Sequence, residues 1–516
     1  MELPPPTSPT DEEPVYTEVS TPQVALQVDQ PFPIQEPPTT PSQVVPKPTW
    51  VLYASCAIVM VLPLQYGWST SQLNYFKFNK LADCDRRPVT PGTCIMFPGH
   101  TKLEWIFVVN AWVFGGMWGA LFIGGIADKF GRKRALQYVC SLIIVGAILQ
   151  TTSYNLWQFV VGRFIAGLAS GAITGNVGSY NNEVAPPYLR SPLGAMLQSG
   201  IGIGIVLVMT THWYLDFEEG WRVIAGFPIV LASIFLVCSV VMVESPVWLL
   251  LHGRRDEAIA VLAKLYGEEH VPVVLTWIEP KKKASPDSDH EPHTPFKDGK
   301  GFALADCFGP KLRMQFMICI VLAIMQKFTG INSIFYYSSD LFAKAGLKNP
   351  RLAALITGLV HVLPCFVSGV LARFVGNRRV LLVGLVGMIA GSVGITVGLN
   401  EQLGSLTIAF VCVFVLSFAL SVGPLAFAFI ADIFPDYGRA TVSSISICIM
   451  WLANLAVGVG FPYMNTALKD NVYIVFAAIQ LASLLFSIVF VPSTTGKTNA
   501  EIQEEFRIKR EGKMPV

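Results

Sequence analysis

A chain of 516 residues that is 52% hydrophobic and only 14% charged, with mean hydropathy +0.51, carries more apolar surface than a soluble fold can hide. Its net charge of +2 gives no electrostatic footing for a nucleic-acid partner. Lipid accepts such surface, provided each crossing segment satisfies its own backbone as a helix.

Residues 1–48 are rich in Pro, Thr, Glu and Gln and lack an apolar core, so a disordered cytosolic tail is expected there, not a signal peptide. Tyr16-Thr17-Glu18-Val19 has the form of a tyrosine-based sorting signal, a pattern that also arises by chance. Twelve apolar stretches follow, each about long enough to cross a bilayer. They are expected at 50–74, 105–127, 135–153, 157–181, 191–212 and 222–243, then at 312–342, 353–373, 379–399, 404–433, 440–463 and 471–491. The expected fold is an all-α membrane protein of twelve transmembrane helices in two six-helix bundles, 49–243 and 312–491. The polar segment 244–311 joins them. Within it Arg255 to Tyr266 has helical periodicity, with Ile259, Leu262, Ala263 and Tyr266 on one face. Residues 279–300 read as a flexible linker, and 492–516 as a short cytosolic tail.

Lys and Arg collect in alternate loops, at 129–134, Arg190, 281–283, 378–379 and Arg439. The intervening loops at 152–156, 213–220 and 400–403 have none. The basic loops and both termini are therefore expected in the cytosol. The loop at 75–104 runs against the pattern with Lys77, Lys80, Arg86, Arg87 and Lys102. It also holds Cys84 and Cys94, for which a disulfide outside the cytosol is an open alternative to free thiols.

The halves echo each other. Asp128-Lys129-Phe130-Gly131-Arg132-Lys133 follows the second span and Arg373-Phe374-Val375-Gly376-Asn377-Arg378-Arg379 the eighth. Glu183 to Arg190 follows the fourth, and Asp432 to Arg439 the tenth. A duplicated unit with a midplane cleft describes an alternating-access transporter. Asp128, Arg132, Arg163, Glu183, Arg190 and Glu244 are expected at cytosolic helix ends, with Arg378, Asp432 and Arg439 as counterparts. Pairs among them that form when the mouth closes would bias one conformation; the alternative is plain anchoring and capping. Arg163 is also expected to act as a structural lock, because a charge inside a span needs a partner.

Gln326 and Asn332 are uncharged hydrogen-bonding groups in the seventh span, costly unless partnered or facing a cavity. On a straight helix they would stand about 240° apart. Gly330 permits an unwinding that lets both reach one cleft. Amides suit a sugar, whose hydroxyls both donate and accept.

These residues resemble the sugar porter family of the major facilitator superfamily, from Leu64 to Glu505. The resemblance lies in Gly124-Gly125-Ile126-Ala127-Asp128-Lys129-Phe130-Gly131-Arg132-Lys133, Gly162-Arg163-Phe164-Ile165-Ala166-Gly167, Glu183-Val184-Ala185-Pro186, Glu244-Ser245-Pro246, Gln326-Lys327-Phe328-Thr329-Gly330-Ile331-Asn332, Tyr336-Tyr337, Val491-Pro492 and Gly496-Lys497. The first span, Leu64 to Asn74, looks most like animal-type glucose facilitators, with Ser69 where proton-coupled members carry Asp. The resemblance implies the major facilitator fold and a substrate site including Gln198, Gln326, Asn332, Trp451 and Asn454. Departures from the family fall in that site. Lys327 replaces an amide, His361 replaces Asn, Phe427 stands nearest the usual Trp, Met450 replaces Asn, and Ser421 replaces an acid. Lys327 and His361 would suit an anionic or modified sugar, unless Lys327 turns toward an interface.

The expected function is alternating-access transport of hexose-like sugars by facilitated diffusion. A proton-coupled symporter using His361 or Asp432 is the alternative, and a transporter-like sensor a third reading that the short segment after Val491 disfavours. No phosphate-binding loop, catalytic constellation, metal site or cofactor is expected. The expected partners are a small-molecule sugar and the lipid bilayer, the plasma membrane ahead of an endomembrane. A monomer is compatible with this reading.

Overall fold

The computed structural model describes residues 46–74, 84, 88–90, 94–215, 217–278, 304–347, 349–497 and 499–510. The tail at 1–45 with Tyr16, the linker 279–303 and residues 511–516 lie outside the described residues.

All described secondary structure is helical. The first bundle contains α1 (Trp50–Val59), α2 (Val61–Ser71), α3 (Lys102–Phe130), α4 (Arg132–Thr151), α5 (Leu156–Val184), α6 (Pro187–Thr211) and α7 (Gly220–Cys238). Three short helices follow: α8 (Pro246–Leu251), α9 (Arg255–Tyr266) and α10 (Val271–Ile278). The second bundle contains α11 (Arg313–Phe328), α12 (Ile331–Lys344), α13 (Pro350–Val375), α14 (Asn377–Asn400), α15 (Gly404–Leu420), α16 (Val422–Ile433), α17 (Asp436–Leu468) and α18 (Val472–Phe490), and α19 (Asn499–Arg510) closes the chain. Each apolar stretch read from the sequence falls on one helix or on two consecutive ones. Among the described residues ten helical stretches are long and apolar enough to cross a membrane. One of them, Thr441–Phe490, takes in both α17 and α18, and Met196–Thr211 is a shorter apolar helix. Large apolar side chains stand outward along them, including Phe122, Val237, Leu363, Phe374 and Val383. Such a belt suits lipid.

Three spans are broken, each for a local reason. The seventh breaks at Gly330, whose φ of +91° is open to glycine, and this is the unwinding expected from the sequence. The first breaks at Met60, three residues before Pro63. The tenth breaks at Ser421, which the sequence reading treated as continuous. Pro424 has no N–H for the carbonyl of Leu420 and its ring crowds that carbonyl. Ser368 Oγ donates to the freed Leu420 oxygen at 2.8 Å.

The linker helix α9 has the bounds read from its periodicity, with Ala258, Leu262, Leu265 and Tyr266 buried. Tyr266 donates to the carbonyl of Val184 at 2.7 Å, so α9 caps the end of α5. On the same side α19 caps the second bundle: Asn499 and Gln503 donate to the carbonyls of Asp432, Phe434 and Ile433. We call this capped end the charged end. The opposite end carries a Cys84–Cys94 disulfide with Cα atoms 5.2 Å apart, which resolves the alternative left by the sequence.

Within the first bundle α3 and α4 pack on α5, and α2 on α6; within the second, α14 packs on α15 and α18. The bundles meet chiefly through α3 against α17 and α6 against α13. Hydrogen bonds join them toward the disulfide end. Lys102 reaches Thr466 at 2.6 Å, Arg351 reaches the carbonyl of His212 at 3.4 Å, and Ser71 that of Phe335 at 3.2 Å.

Candidate functional site

An enclosed cavity lies between the bundles, lined by residues of α2, α5 and α6 on one side and of α11–α13 and α15–α17 on the other. Of the expected substrate residues, Gln198, Lys327, Asn332, His361 and Trp451 line it. Their partners are specific. Gln198 Nε2 lies 3.3 Å from His361 Nε2, across the bundle interface. An amide N–H only donates, so Nε2 accepts and the imidazole proton sits on Nδ1, which has no partner among the described residues. Asn332 Nδ2 donates to Asn454 Oδ1, and Asn454 Nδ2 donates to the Tyr336 hydroxyl at 3.0 Å. Asn454 therefore stands behind the wall and orients Asn332. Trp451 Nε1 donates to Thr174 at 3.3 Å, again across the interface. Its ring meets those of Tyr66 and Trp112 at 5.4 and 5.2 Å.

Gln326 is a correction. The break at Gly330 brings Asn332 to the cavity, but Gln326 does not line it. Its side chain is fully buried and donates to the carbonyl of Gly423 at 3.2 Å. It satisfies the carbonyl of a residue beside Pro424, where the tenth span is broken, and its Oε1 has no partner among the described residues. Sequence reasoning missed Tyr66, Thr174, Phe335 and Phe418 in the lining. Aromatics inside a span read alike whether they face lipid, core or cavity, so only the neighbouring Gln65 and Gly67 marked Tyr66.

The cavity holds about 30 Å³, room for one or two waters and not for a sugar ring. It is this small because bulky groups dock on glycines of the facing bundle. A Cβ at Gly116 would lie 2.3 Å from the Trp451 ring, and one at Gly202 would lie 2.8 Å from His361 Nδ1. Asn332→Ala removes a cavity amide and frees the Asn454–Tyr336 pair. It is expected to weaken sugar binding by about 1–2 kcal/mol. Equilibrium competition by D-glucose on purified protein checks this, and unchanged affinity would take Asn332 out of the site.

At the charged end the expected ionic residues converge in the first bundle. The Arg132 guanidinium meets Asp128 at 2.7 Å and Glu183 at 3.0 Å. Glu244 accepts the backbone N–H groups of Arg132 and Lys133 at 2.8 and 3.1 Å, an anion seated on the start of α4. Ser245 Oγ donates to Glu183, and Trp248 Nε1 to the carbonyl of Asp128. These partners of Arg132 all belong to the first bundle and its linker, so they tie helices within a bundle and do not cross the mouth. Arg190 Nε donates to the carbonyl of Ala185 at 3.3 Å. In the second bundle Arg378 donates to the carbonyl of Ile488 at 2.5 Å, and the Asp432 carboxylate is hydrogen-bonded by Thr494 in the field of Arg439.

Arg163 is the second correction. It is not at the charged end: it lies twenty residues before Glu183 in α5, about 30 Å away along the helix. It is buried, donates to the carbonyl of Ser69 at 2.9 Å and lies 5.5 Å over the Trp112 ring. Its contacts hold α2, α3 and α5 together, with carbonyls and an aromatic face in place of an acid.

Two helical bundles that enclose a polar cavity at their interface, with charged helix ends on one side, make a membrane transporter of the major facilitator type. The chain belongs to the sugar (and other) transporter family, which it matches over residues 55–506. Glucose transporter GlcP of Staphylococcus epidermidis is 31% identical over 410 residues, covering 78% of this chain and 88% of GlcP. Solute carrier family 2, facilitated glucose transporter member 3 of Rattus norvegicus is 30% identical over 483 residues, covering 89% and 94%. Among solved structures, the proton:xylose symporter XylE bound to 6-bromo-6-deoxy-D-glucose is similar with TM-score 0.72 at 20% identity, covering 89% of this chain and 99% of XylE. XylE from E. coli in a partially occluded inward-open conformation has TM-score 0.71 at 21% identity, covering 87% and 100%. These likenesses carry the fold.

Proposed function

We propose that this protein is an alternating-access carrier of hexose-like sugars working by facilitated diffusion. The observation that carries the reading is the cavity whose polar wall is shared by both bundles, through Gln198 with His361 and Trp451 with Thr174. A sugar bound there replaces contacts between bundles with contacts to itself, which is how a ligand biases one arrangement of two rigid bodies. The names of the relatives support sugar as the substrate. Uptake of D-glucose into proteoliposomes down its own gradient tests it; absence of uptake across a panel of hexoses, polyols and sugar acids would overturn it.

Uncoupled transport is supported by the first span. Ser69 stands at the position of interest, and its carbonyl accepts from Arg163 while its hydroxyl accepts from Gln65 at 3.0 Å. No carboxylate lines the cavity among the described residues. Hexose uptake is therefore expected to be unchanged by an imposed pH gradient. Accumulation above the bath that a protonophore abolishes would establish the alternative, symport through Asp432 or through His361, the titratable imidazole in the cavity.

The same reading puts bundles at 49–243 and 312–491, with cytosolic segments at 1–48, 244–311 and 492–516. The disulfide favours an extracytosolic face at its end and the basic loops a cytosolic face at the other. The plasma membrane is the proposed location, and the monomer the proposed working unit.

A further inference from the structure

We propose that the cavity selects sugars bearing a carboxylate, uronates or aldonates, and that Lys327 binds the carboxylate. This rests on the transport reading and narrows its substrate.

Lys327 is the one formally charged side chain among the described residues lining the cavity. Its ammonium offers three donors and no acceptor. Among the described residues no carboxylate lines the cavity to pair with it. A charge inside a span is costly without a partner. It cannot escape to an interface. Lys327 lies fourteen residues into α11 from Arg313, about 21 Å, and α12 continues to Lys344, seventeen residues or about 25 Å further. Both distances exceed the reach of a four-carbon stem. The sequence alternative of Lys327 turning to an interface is thereby removed.

The polar groups near it leave the same gap. Gln198 and Asn332 each commit one amide N–H, to His361 and Asn454, and Trp451 commits its only N–H to Thr174. What remains toward a ligand is amide oxygen and the second N–H of each amide, which suit sugar hydroxyls, and the Lys327 ammonium, which no hydroxyl neutralises. His361, which shares the lining with Lys327, adds no negative charge. The ligand that completes this wall has hydroxyls at one part and an anion at another. The apolar remainder, Ile201, Ile205, Phe335 and Trp451, fits the carbon face of a sugar ring and would be left unmet by a bare inorganic anion.

The test is equilibrium competition on the full-length protein with radiolabelled D-glucuronate, using D-glucose, D-gluconate, acetate and chloride as competitors, with uptake of both sugars into proteoliposomes alongside. Glucuronate is expected to bind at least about tenfold more tightly than glucose, the scale of a hydrogen bond to a charged group. Lys327→Gln is expected to abolish that preference and Lys327→Arg to keep it. Equal or better binding of glucose by the wild type overturns the proposal and leaves transport standing, as does a preference unchanged in Lys327→Gln. Acetate or chloride competing as well as glucuronate also overturns it. If neither sugar binds or moves, the transport reading itself fails. Should Lys327→Gln not fold, the wild-type preference and its retention in Lys327→Arg decide the matter.

Discussion

Replacing Gly116 with valine is expected to lower net sugar uptake by roughly 10- to 100-fold while slowing exchange between two sugar-loaded sides much less. Gly116 sits in α3, where a Cβ would come within 2.3 Å of the Trp451 ring. That ring cannot swing away, because Tyr66 and Trp112 hold it at 5.4 and 5.2 Å and its N–H is bonded to Thr174. Overpacking of this kind costs about 1–3 kcal/mol, or roughly 5- to 150-fold in an equilibrium constant. The cost falls on the conformation in which α3 and α17 approach this closely, and its cavity of about 30 Å³ has no room for a sugar. A carrier that moves net solute must pass through such a form on the empty return, whereas exchange runs through wider, loaded forms. Tracer influx at zero internal sugar, compared with counterflow in the same vesicles, reads the two separately. Gly116→Ala should show a smaller loss in the same direction, and shrinking the ring with Trp451→Phe in the Gly116→Val background should return part of the net flux. Wild-type net uptake by Gly116→Val would remove the α3–α17 contact from the cycle.

The fold was largely legible because lipid imposes length and apolarity on every span, a signal that needs no partner to interpret. The break at Gly330 was legible for the same reason, since a glycine between two costly amides implies a purpose. Ser421 was not, because Pro424 sits in an unbroken apolar run and the compensating donor, Ser368, comes from another helix. In the site, Gln198, His361 and Asn454 came from the family resemblance, and Gln326 and Asn332 from polarity inside a span. Polarity could not distinguish a group that faces the cavity from one that props its wall, which is why Gln326 was misplaced. Nor does polarity give depth within the membrane. Arg163 was read as an end charge from its motif, although Leu156, where α5 begins, lies at the disulfide end. Phe335 carries no sequence signal of cavity exposure, because aromatic rings are equally at home against lipid.

Arg132→Ala is expected to lower thermal stability in detergent by several degrees and to slow turnover about tenfold, with sugar affinity held within about threefold. Arg132 is 14% exposed and faces two carboxylates, Asp128 at 71% and Glu183 at 16%. Losing the guanidinium costs little at Asp128, which water screens. It costs more at Glu183, whose remaining partner is Ser245 and whose charge is then left half-buried; we expect about 1–3 kcal/mol, below the full penalty of a buried pair. The contacts bind α3, α4, α5 and the entry to α8 into one body, so the damage is to the rigidity of the first bundle. A rocking carrier needs its bundles to move as units, and a loosened one transmits less of the sugar's binding to the far mouth. Affinity is spared because the cavity residues are set by α2, α5 and α6 nearer the midplane. The decisive measurement is a double-mutant cycle. Glu183→Ala placed on Arg132→Ala removes the stranded carboxylate and should recover part of the lost stability. Additive losses would show that the two side chains do not act as a pair. An affinity loss above tenfold at unchanged stability would show that Arg132 speaks to the cavity directly and not through the bundle.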